Sequence, residues 1–450
     1  MPNDGDFCVD GLNFPDRMPY PGLIEYKKIL EPVLTEAVDL KTGQLKITNR
    51  YAFISLAHLD GNWKVVRDGV VVQQGRLPRL EAPAGEAMLV TLPYRLPESA
   101  EAADYWLDLT YRLGEDRLWA GRGHVLATAQ FELPAPQKPV QSFKPAGLPR
   151  LEVEQDGGAI HLHGEDFHLV FDTFYGTPGS WEYQGAQLLT GGPQLNLWRA
   201  PTDNDIHIAK EWVAAGLDRL QARLERVELV RKLPQAAQIE VDTMLACYSR
   251  LPAFRASYHY TIFGSGDMLI DTHLTPLSKL PNLARVGLQM RLPGTLDRFT
   301  WYGRGPHENY VDRKESALVG VYSGTVQEQY VPYIFPQENG NKSDVRWATL
   351  TDAQGLGLLV VGMPLLNVGA SHYSTENLTS AGHTFDLEEL DETILSLDYR
   401  QCGLGSNSCG PGPLQKYLIE PVEMRFSLRL RPFNANAHSA MRLSRQMFEI

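Results

Sequence analysis

Residues 62–74, Asn62-Trp63-Lys64-Val65-Val66-Arg67-Asp68-Gly69-Val70-Val71-Val72-Gln73-Gln74, decide the fold. Two Val-rich runs flank Asp68-Gly69, the dipeptide favoured in the tight type I′ turn of a β-hairpin. Working outward, Tyr105–Leu113 (YWLDLTYRL) and His124–Leu133 (HVLATAQFEL) alternate apolar and polar residues in the same way. From about Glu25 to Leu133 no helical period intervenes. Several short strands in a stretch of about 110 residues predict an immunoglobulin-like sandwich. The cysteine pair of antibody domains is missing, so the expectation concerns architecture only.

On the N-terminal side, the first 25 residues hold Pro2, Pro15, Pro19 and Pro21 with Gly5, Gly11 and Gly22, and read as loop. On the C-terminal side, Leu133–Pro149 (LPAPQKPVQSFKPAGLP) is Pro-rich without a strand pattern and reads as a linker. Strand-like runs then continue through Ala159–Asp172, Asp267–Thr275, Gly355–Gly362, Glu392–Asp398 and Met424–Arg431. A single helix is expected from Ala209 to about Leu220, with Trp212, Val213, Gly216, Leu217 and Leu220 on one face. Strands over about 300 residues without a repeat predict one large antiparallel sandwich. The strand–helix alternation of a (β/α)8 barrel is missing.

The totals narrow the function classes. A chain of 450 residues, 43% hydrophobic and 21% charged, has the composition of a globular protein of two or three domains. Its formal net charge of −12 disfavours a nucleic-acid partner, which requires clustered Lys and Arg. No basic amphipathic stretch points to a membrane surface, and the longest apolar run, about Leu356 to Leu366, is too short to span one. Cys8, Cys247, Cys402 and Cys409 form neither a disulfide framework nor a zinc motif, and the N-terminus lacks the pattern of a secretory signal. The expected setting is a reducing cytoplasm.

Three segments combine Trp, Arg, Asp, Asn, Gly and Pro: Leu197–Asp205 (LWRAPTDND), Trp301–Arg313 (WYGRGPHENYVDR) and Tyr330–Gly340 (YVPYIFPQENG). Aromatic faces beside carboxylates, amides and guanidinium groups suit sugar recognition. From composition alone a structural reading stands ahead, because buried polar groups mostly anchor loops. His161 and His163 lie i, i+2 on one strand face with His168 nearby. No third metal ligand of suitable spacing follows, so they read as solvent-facing strand histidines.

The three segments resemble the last domain of the large bacterial family 2 β-galactosidases. Residues 2–28, with PND, FCVDGL and PDRMPYPGLIEYKK, resemble the stretch where those enzymes leave their catalytic barrel, and Gly403–Pro413 (GLGSNSCGPGP) resembles their late active-site loop. The order and spacing hold from residue 2 to about residue 430. The resemblance implies an all-β chain. Residues 1–24 would be a remnant of the barrel exit and 25–137 an immunoglobulin-like linking sandwich. Residues 147–450 would form a galactose-mutarotase-like super-sandwich that binds carbohydrate.

In that family the barrel supplies a glutamate acid/base and a glutamate nucleophile for retaining hydrolysis of terminal β-D-galactose residues, as in lactose. The resemblance therefore implies no catalytic residue in this chain, which alone would be inactive. Phe7 matches a residue that gives its backbone carbonyl to Na⁺, Asp10 an Asn that binds Na⁺ and sugar, and Asn3 a residue associated with Mg²⁺. Cys409 matches a Trp stacked under the sugar, a departure that removes the ring face and puts the galactoside in question. Asp203–Lys210 matches a loop that moves over bound ligand. The implied partners are a galactoside and a barrel-bearing portion or large subunit, in an oligomer when complete; the isolated chain would carry no cofactor. Two other classes compete: a free-standing aldose 1-epimerase of the same fold, working through a pair such as His307 and Glu308, and a carbohydrate-binding module. A structural role for His307-Glu308 is favoured; the epimerase would leave the motif at Asn3–Lys28 unexplained, and a binding module would show exposed aromatic platforms and need no partner.

Overall fold

The computed structural model describes residues 11–97, 103–135 and 142–448. Asn3, Phe7, Cys8 and Asp10 lie outside the described residues. The chain divides into two compact units, one of Pro19–Gln141 with Leu318–Val321, the other of Met1–Met18, Ser142–Ala317 and Tyr322–Ile450.

The smaller unit is a sandwich of two antiparallel sheets. One joins Val33–Asp39, Gln44–Asn49 and Ala87–Thr91; the other runs Val70–Arg76, Leu59–Arg67, Tyr105–Leu113, Val125–Glu132. Asp68 (φ 53°) and Gly69 (φ 81°) turn the hairpin, both in the left-handed region that a type I′ turn requires. Alternation does the rest: Leu59, Trp63 and Val65 face inward against Leu107, Leu109 and Tyr111, with Leu45 and Ile47 from the facing sheet. The Tyr111 hydroxyl meets Thr35 Oγ1 at 2.7 Å, which satisfies a buried phenol where the sheets face each other.

The loop reading of the first 25 residues fails at its end, because Pro21–Ile29 is an α-helix. Pro21 starts it, where a missing N–H costs nothing, and Lys27 and Lys28 occupy the last turn. Its buried residues are Pro21 and Glu25, one turn apart, so no apolar stripe betrays it in the sequence.

In the larger unit a twelve-stranded sheet lies against a five-stranded one. The path through the first runs Gly191–Asn196, Arg285–Pro293, Glu392–Gln401, Leu356–Ser371, Met424–Asn434, Met268–Pro276, Phe254–Phe263, Ala236–Ala246, Gln221–Leu233, with a branch that includes Arg298–Gly305 and Lys342–Thr351. The second runs Ala186–Leu189, Thr177–Tyr183, Phe167–Asp172, Ala159–His163, Glu152–Gln155. Leu162, Leu169, Phe171 and Trp181 from the smaller sheet share one core with Ile239, Tyr260, Ile270, Leu358 and Leu428 from the larger. Phe171 meets Tyr260 edge-on, centroids 5.0 Å apart. The whole chain is thus all-β in class. Met447–Phe448 pairs in parallel with Ser142–Phe143, inside the stretch read as linker, and among the described residues no parallel barrel is formed.

The expected helix at Ala209–Leu220 is shorter: Ile208–Ala215 ends at Gly216, and Leu217–Arg219 is a separate 3₁₀ turn. Trp212 and Leu217 are buried, but Val213 is exposed, because the break at Gly216 puts Leu217 and Leu220 on a different axis. It is not the single helix either, since Thr375–Ser380 and Ala440–Ser444 form short ones capped by the hydroxyls of Ser374 and Ser439. Gly216 sits at φ 79°, and a Cβ there would lie 2.8 Å from Cys247 Cβ. Gly216→Ala is therefore expected to destabilise the larger unit by at least about 1–2 kcal/mol, the usual cost of a left-handed L-residue. A urea melt unchanged within error would contradict this.

Candidate functional site

The motif segments meet around buried arginines. Arg199 is fully buried; its Nε and Nη2 donate to the two carboxylate oxygens of Asp205 at 3.0 and 2.8 Å. Its remaining donors reach the carbonyls of Cys402 (2.8 Å) and Gly403 (3.3 Å). Asp205 is placed for this by the 3₁₀ turn Asp203–Asp205, whose first residue follows Thr202, so its carboxylate also accepts the Thr202 N–H at 2.9 Å. The guanidinium carbon lies 5.7 Å from the centre of the Trp212 ring, which couples the helix to the same cation. Ala200 O accepts the Glu338 N–H at 3.1 Å, and Gln337 Nε2 donates to Asp203 at 3.0 Å, tying WRAPTDND to PQENG.

A second arginine, Arg285, donates to Asp398 Oδ1 at 3.1 Å and to Glu338 Oε2 at 3.1 Å. Burial pushes the Glu338 carboxyl up; Arg285 opposes that, and neighbouring Asp398 adds to it. A third buried carboxylate, Glu308, accepts from Arg313, from the Tyr333 hydroxyl at 2.5 Å and from the Gly340 N–H at 2.7 Å. It thereby joins WYGRGPHENYVDR to YVPYIFPQENG. Burial, then the charge of Glu308, holds the phenols of Tyr310 and Tyr333 well above their ordinary range. Lys342 Nζ donates to Gly340 O at 3.1 Å and stands 5.1 Å from the Trp301 ring centre. Burial pulls this ammonium down to about 8, with Glu308 resisting.

This frame carries the late loop. Asp312 accepts from Leu404 N at 3.0 Å and Gly405 N at 2.8 Å. Asn204 donates to Gly405 O at 3.0 Å and accepts from the Ser408 hydroxyl at 2.9 Å. Ser406 N bonds Pro411 O at 3.0 Å, closing the loop on itself. Two glycines are obligatory: a Cβ at Gly403 would meet Asp312 Oδ2 at 2.7 Å, and Gly405 has φ 63° with Pro413 N at 2.6 Å from its Cβ position. Cys409 stands on the tip, its thiol exposed, whereas Cys402 is buried at the root.

Of the site residues expected from sequence, Cys409 is thus on the surface of a braced loop, and Asn3, Phe7 and Asp10 lie outside the described residues. Nearby, Phe14 packs at 6.2 Å from Tyr333, so the N-terminal segment reaches the motif frame. Asp203 and Asn204, in the segment matched to a moving loop, are bonded to Gln337 and to Gly405 and Ser408. His307 Nε2 faces Ser316 Oγ at 2.9 Å, and Glu308 is held in the network, in keeping with a structural role. Sequence reasoning missed Asn204 and Asp312 as anchors of the loop, and Arg285 and Asp398 as part of the frame. The first two sit inside quoted motifs; the latter pair lie on strands in which nothing distinguishes them before register is known. The histidines lie on the sheet face turned away from the core, as read, but a third ligand is at hand: His161, His163 and His168, the last from the adjacent strand, bring ligand atoms within 4.8 Å of one another.

The described residues thus form antiparallel sandwiches whose larger unit gathers aromatic, carboxylate and amide groups around a glycine-shaped loop. Residues 163–430 match the family described as β-galactosidase small chain, and residues 45–134 match β-galactosidase domain 4; the chain belongs to the β-galactosidase small-chain family. It is 36% identical over 412 residues to a β-galactosidase of Priestia megaterium, covering 90% of this chain and 39% of that protein. To a β-galactosidase of Vibrio cholerae it is 33% identical, covering 95% of this chain and 41% of that one. The chain therefore spans about two fifths of the relatives it matches. Among solved structures, a GalM/aldose epimerase homologue from C. elegans overlaps 62% of this chain and 99% of its own, with a TM-score of 0.35 and 10% identity. A galactose 1-epimerase from Lactobacillus acidophilus overlaps 63% and 98%, with a TM-score of 0.30 and 9% identity. Among the described residues no helix is long and apolar enough to cross a membrane.

Two outcomes are expected of this frame. Asp312→Ala should release the root of the loop, with Leu404 and Gly405 amides losing roughly 1.5–3 kcal/mol of hydrogen-exchange protection, the scale of bonds to a charged group. Unchanged protection at both amides would count against the anchor. For Lys342, the folded pKa of about 8 lies below its ordinary 10.5, so between those values the unfolded chain holds the proton and the folded chain does not. Stability then rises with pH across that window, by roughly 3 kcal/mol at most. Lys342→Met should flatten the rise, read from urea midpoints between pH 7 and 10; parallel slopes in both proteins would refute it.

Proposed function

We propose that this chain is the C-terminal portion of a family 2 β-galactosidase, and that it completes an active site whose catalytic carboxylates are carried by another portion. Coverage carries the reading: the chain aligns along nearly all its length with β-galactosidases more than twice as long. The family resemblance assigns the remainder to a (β/α)8 barrel.

Retaining hydrolysis needs one carboxylic acid to protonate the leaving oxygen and one carboxylate to attack the anomeric carbon, held about 5–5.5 Å apart. Glu338 and Asp398, neighbours in the interior of the larger unit, are both bonded to Arg285. Glu308 is saturated by Arg313, Tyr333 and Gly340. These carboxylates build the frame and leave none of the three open to a glycosidic bond. The same bonds count against Glu308, the base named for a free-standing epimerase.

What this chain brings is position. The Gly403–Pro413 loop, braced at Asp312 and Asn204, presents Cys409 to a terminal β-D-galactose residue, as polar edge rather than ring face. By the family resemblance, the Phe7 carbonyl and Asp10 would offer oxygen ligands to Na⁺ and Asn3 one to Mg²⁺, with the barrel portion and water supplying the rest. A cation held there offers a fixed positive charge to a sugar hydroxyl. The carboxylate of Asp10, where the family carries an amide, strengthens that hold without repelling a neutral sugar.

The purified chain is expected not to hydrolyse a nitrophenyl β-galactoside, and to gain that activity when mixed with a barrel-bearing portion. In the mixture, Asp10→Ala should raise KM and weaken the dependence on Na⁺. Robust hydrolysis by the chain alone would overturn the reading. Mutarotation of α-galactose accelerated by the chain and lost in His307→Ala would put the epimerase in its place.

A further inference from the structure

On the five-stranded sheet of the larger unit, Ile160, Leu162, Phe167, Leu169 and Phe171 all point into the core. The pleat then forces the intervening residues onto the opposite face. Those residues include His161 and His163 on one strand and His168 on the next. His163 stands directly across from His168, with ring centroids 4.1 Å apart, and His161 lies one diagonal step away, centroids 5.6 Å from His168. The core thus fixes the register that gathers three imidazoles, and a slip by one residue would bury all of them.

Their nitrogens are close, but the three rings are stacked within 13° of parallel, so sharing an ion requires the imidazoles to rotate and turn their in-plane lone pairs toward one point. One ligand atom from each lies within 4.8 Å of the others, and His161 Nδ1 is 3.4 Å from His168 Nε2. Two nitrogens bound tetrahedrally to Zn²⁺ at about 2.0–2.1 Å sit about 3.4 Å apart. His161 is also oriented from behind. Its Nε2 meets Asp156 Oδ2 at 3.2 Å, which leaves Nδ1 facing His168. Asp156 is itself fixed, its Oδ1 accepting the N–H groups of Gly158 and Ala159 at 2.9 and 2.8 Å. A carboxylate that holds the far nitrogen of a ligating histidine is the usual support of a metal site. Cross-strand pairing sets Glu152 opposite His163, Glu154 opposite His161 and Glu182 opposite His168, so the imidazoles lie in an acidic row.

We propose that His161, His163 and His168 bind one transition-metal ion of the imidazole-preferring class, Zn²⁺, Ni²⁺ or Cu²⁺, with Asp156 as positioning residue and a coordination place left for water or a flanking carboxylate. Mg²⁺ and Ca²⁺, which prefer oxygen, are excluded by the donor set.

The test is Zn²⁺ binding by the full chain, freed of metal with chelator, in competition with a chromophoric chelator, together with visible absorption on loading Co²⁺. One equivalent is expected with micromolar affinity. His163→Ala and His168→Ala should each weaken it at least 10-fold, and Asp156→Asn on the order of 10-fold. His273→Ala, whose imidazole faces Glu423 elsewhere on the chain, should bind as the parent does. Wild-type protein offers a check without substitution: Zn²⁺ should shield these three histidines, and not His273, from carbethoxylation mapped by mass spectrometry. Absence of binding tighter than about 100 μM, equal binding by the triple alanine variant, or no selective shielding would each overturn the proposal.

Discussion

The larger unit depends on one buried cation. Arg199 holds Asp205 through two parallel hydrogen bonds, caps the carbonyls of Cys402 and Gly403, and faces the Trp212 ring. A guanidinium in a dry interior is tolerable only when its donors are matched and its charge is answered. That condition brings together residues some two hundred positions apart in the chain. Leaving either member of the ion pair alone would strand a charge, at a cost of about 3–5 kcal/mol. Arg285 and Glu308 repeat the principle on either side, so the loops are cross-braced instead of merely adjacent.

This explains why the acidic content of the chain says little about catalysis. A carboxylate that answers a buried arginine has its lone pairs occupied and its ionisation tied to the fold. Chemistry at a sugar requires the reverse condition, a carboxyl with an unoccupied face toward substrate. In the function proposed above, recognition falls to groups that the frame leaves at the surface, such as the Ser406–Cys409 turn.

Much of this architecture was legible beforehand. Alternation at Trp63, Val65, Leu107 and Leu109, with Asp68-Gly69 between strands, yields the first sandwich directly, because period-two burial and a positive-φ turn leave few alternatives. The long segments WRAPTDND, WYGRGPHENYVDR and YVPYIFPQENG marked the polar frame, and composition favoured a structural role for them, as the bonds of Arg199, Glu308 and Gln337 bear out. What stayed hidden depends on register between distant strands. Arg285 and Asp398 look like ordinary strand residues until pairing, which sets Gln401 opposite Arg285 and Gly287 opposite Asp398, brings their side chains into bonding distance. His168 is seven positions from His161 in sequence and becomes its neighbour only through the hairpin. The Pro21–Ile29 helix buries a proline and a glutamate, a pattern that hydrophobic periodicity cannot detect.

The order of strands in the large sheet bears on how the chain is made. Met424–Asn434, which follows both of its neighbours in chain order, is inserted between Leu356–Ser371 and Met268–Pro276. Until it arrives, those two strands each present a row of unpaired amides and carbonyls and a half-covered apolar face. Such edges are templates for pairing with other chains. A nascent polypeptide of this topology therefore carries an aggregation-prone edge from the synthesis of Met268–Pro276 until Met424–Asn434 closes the gap.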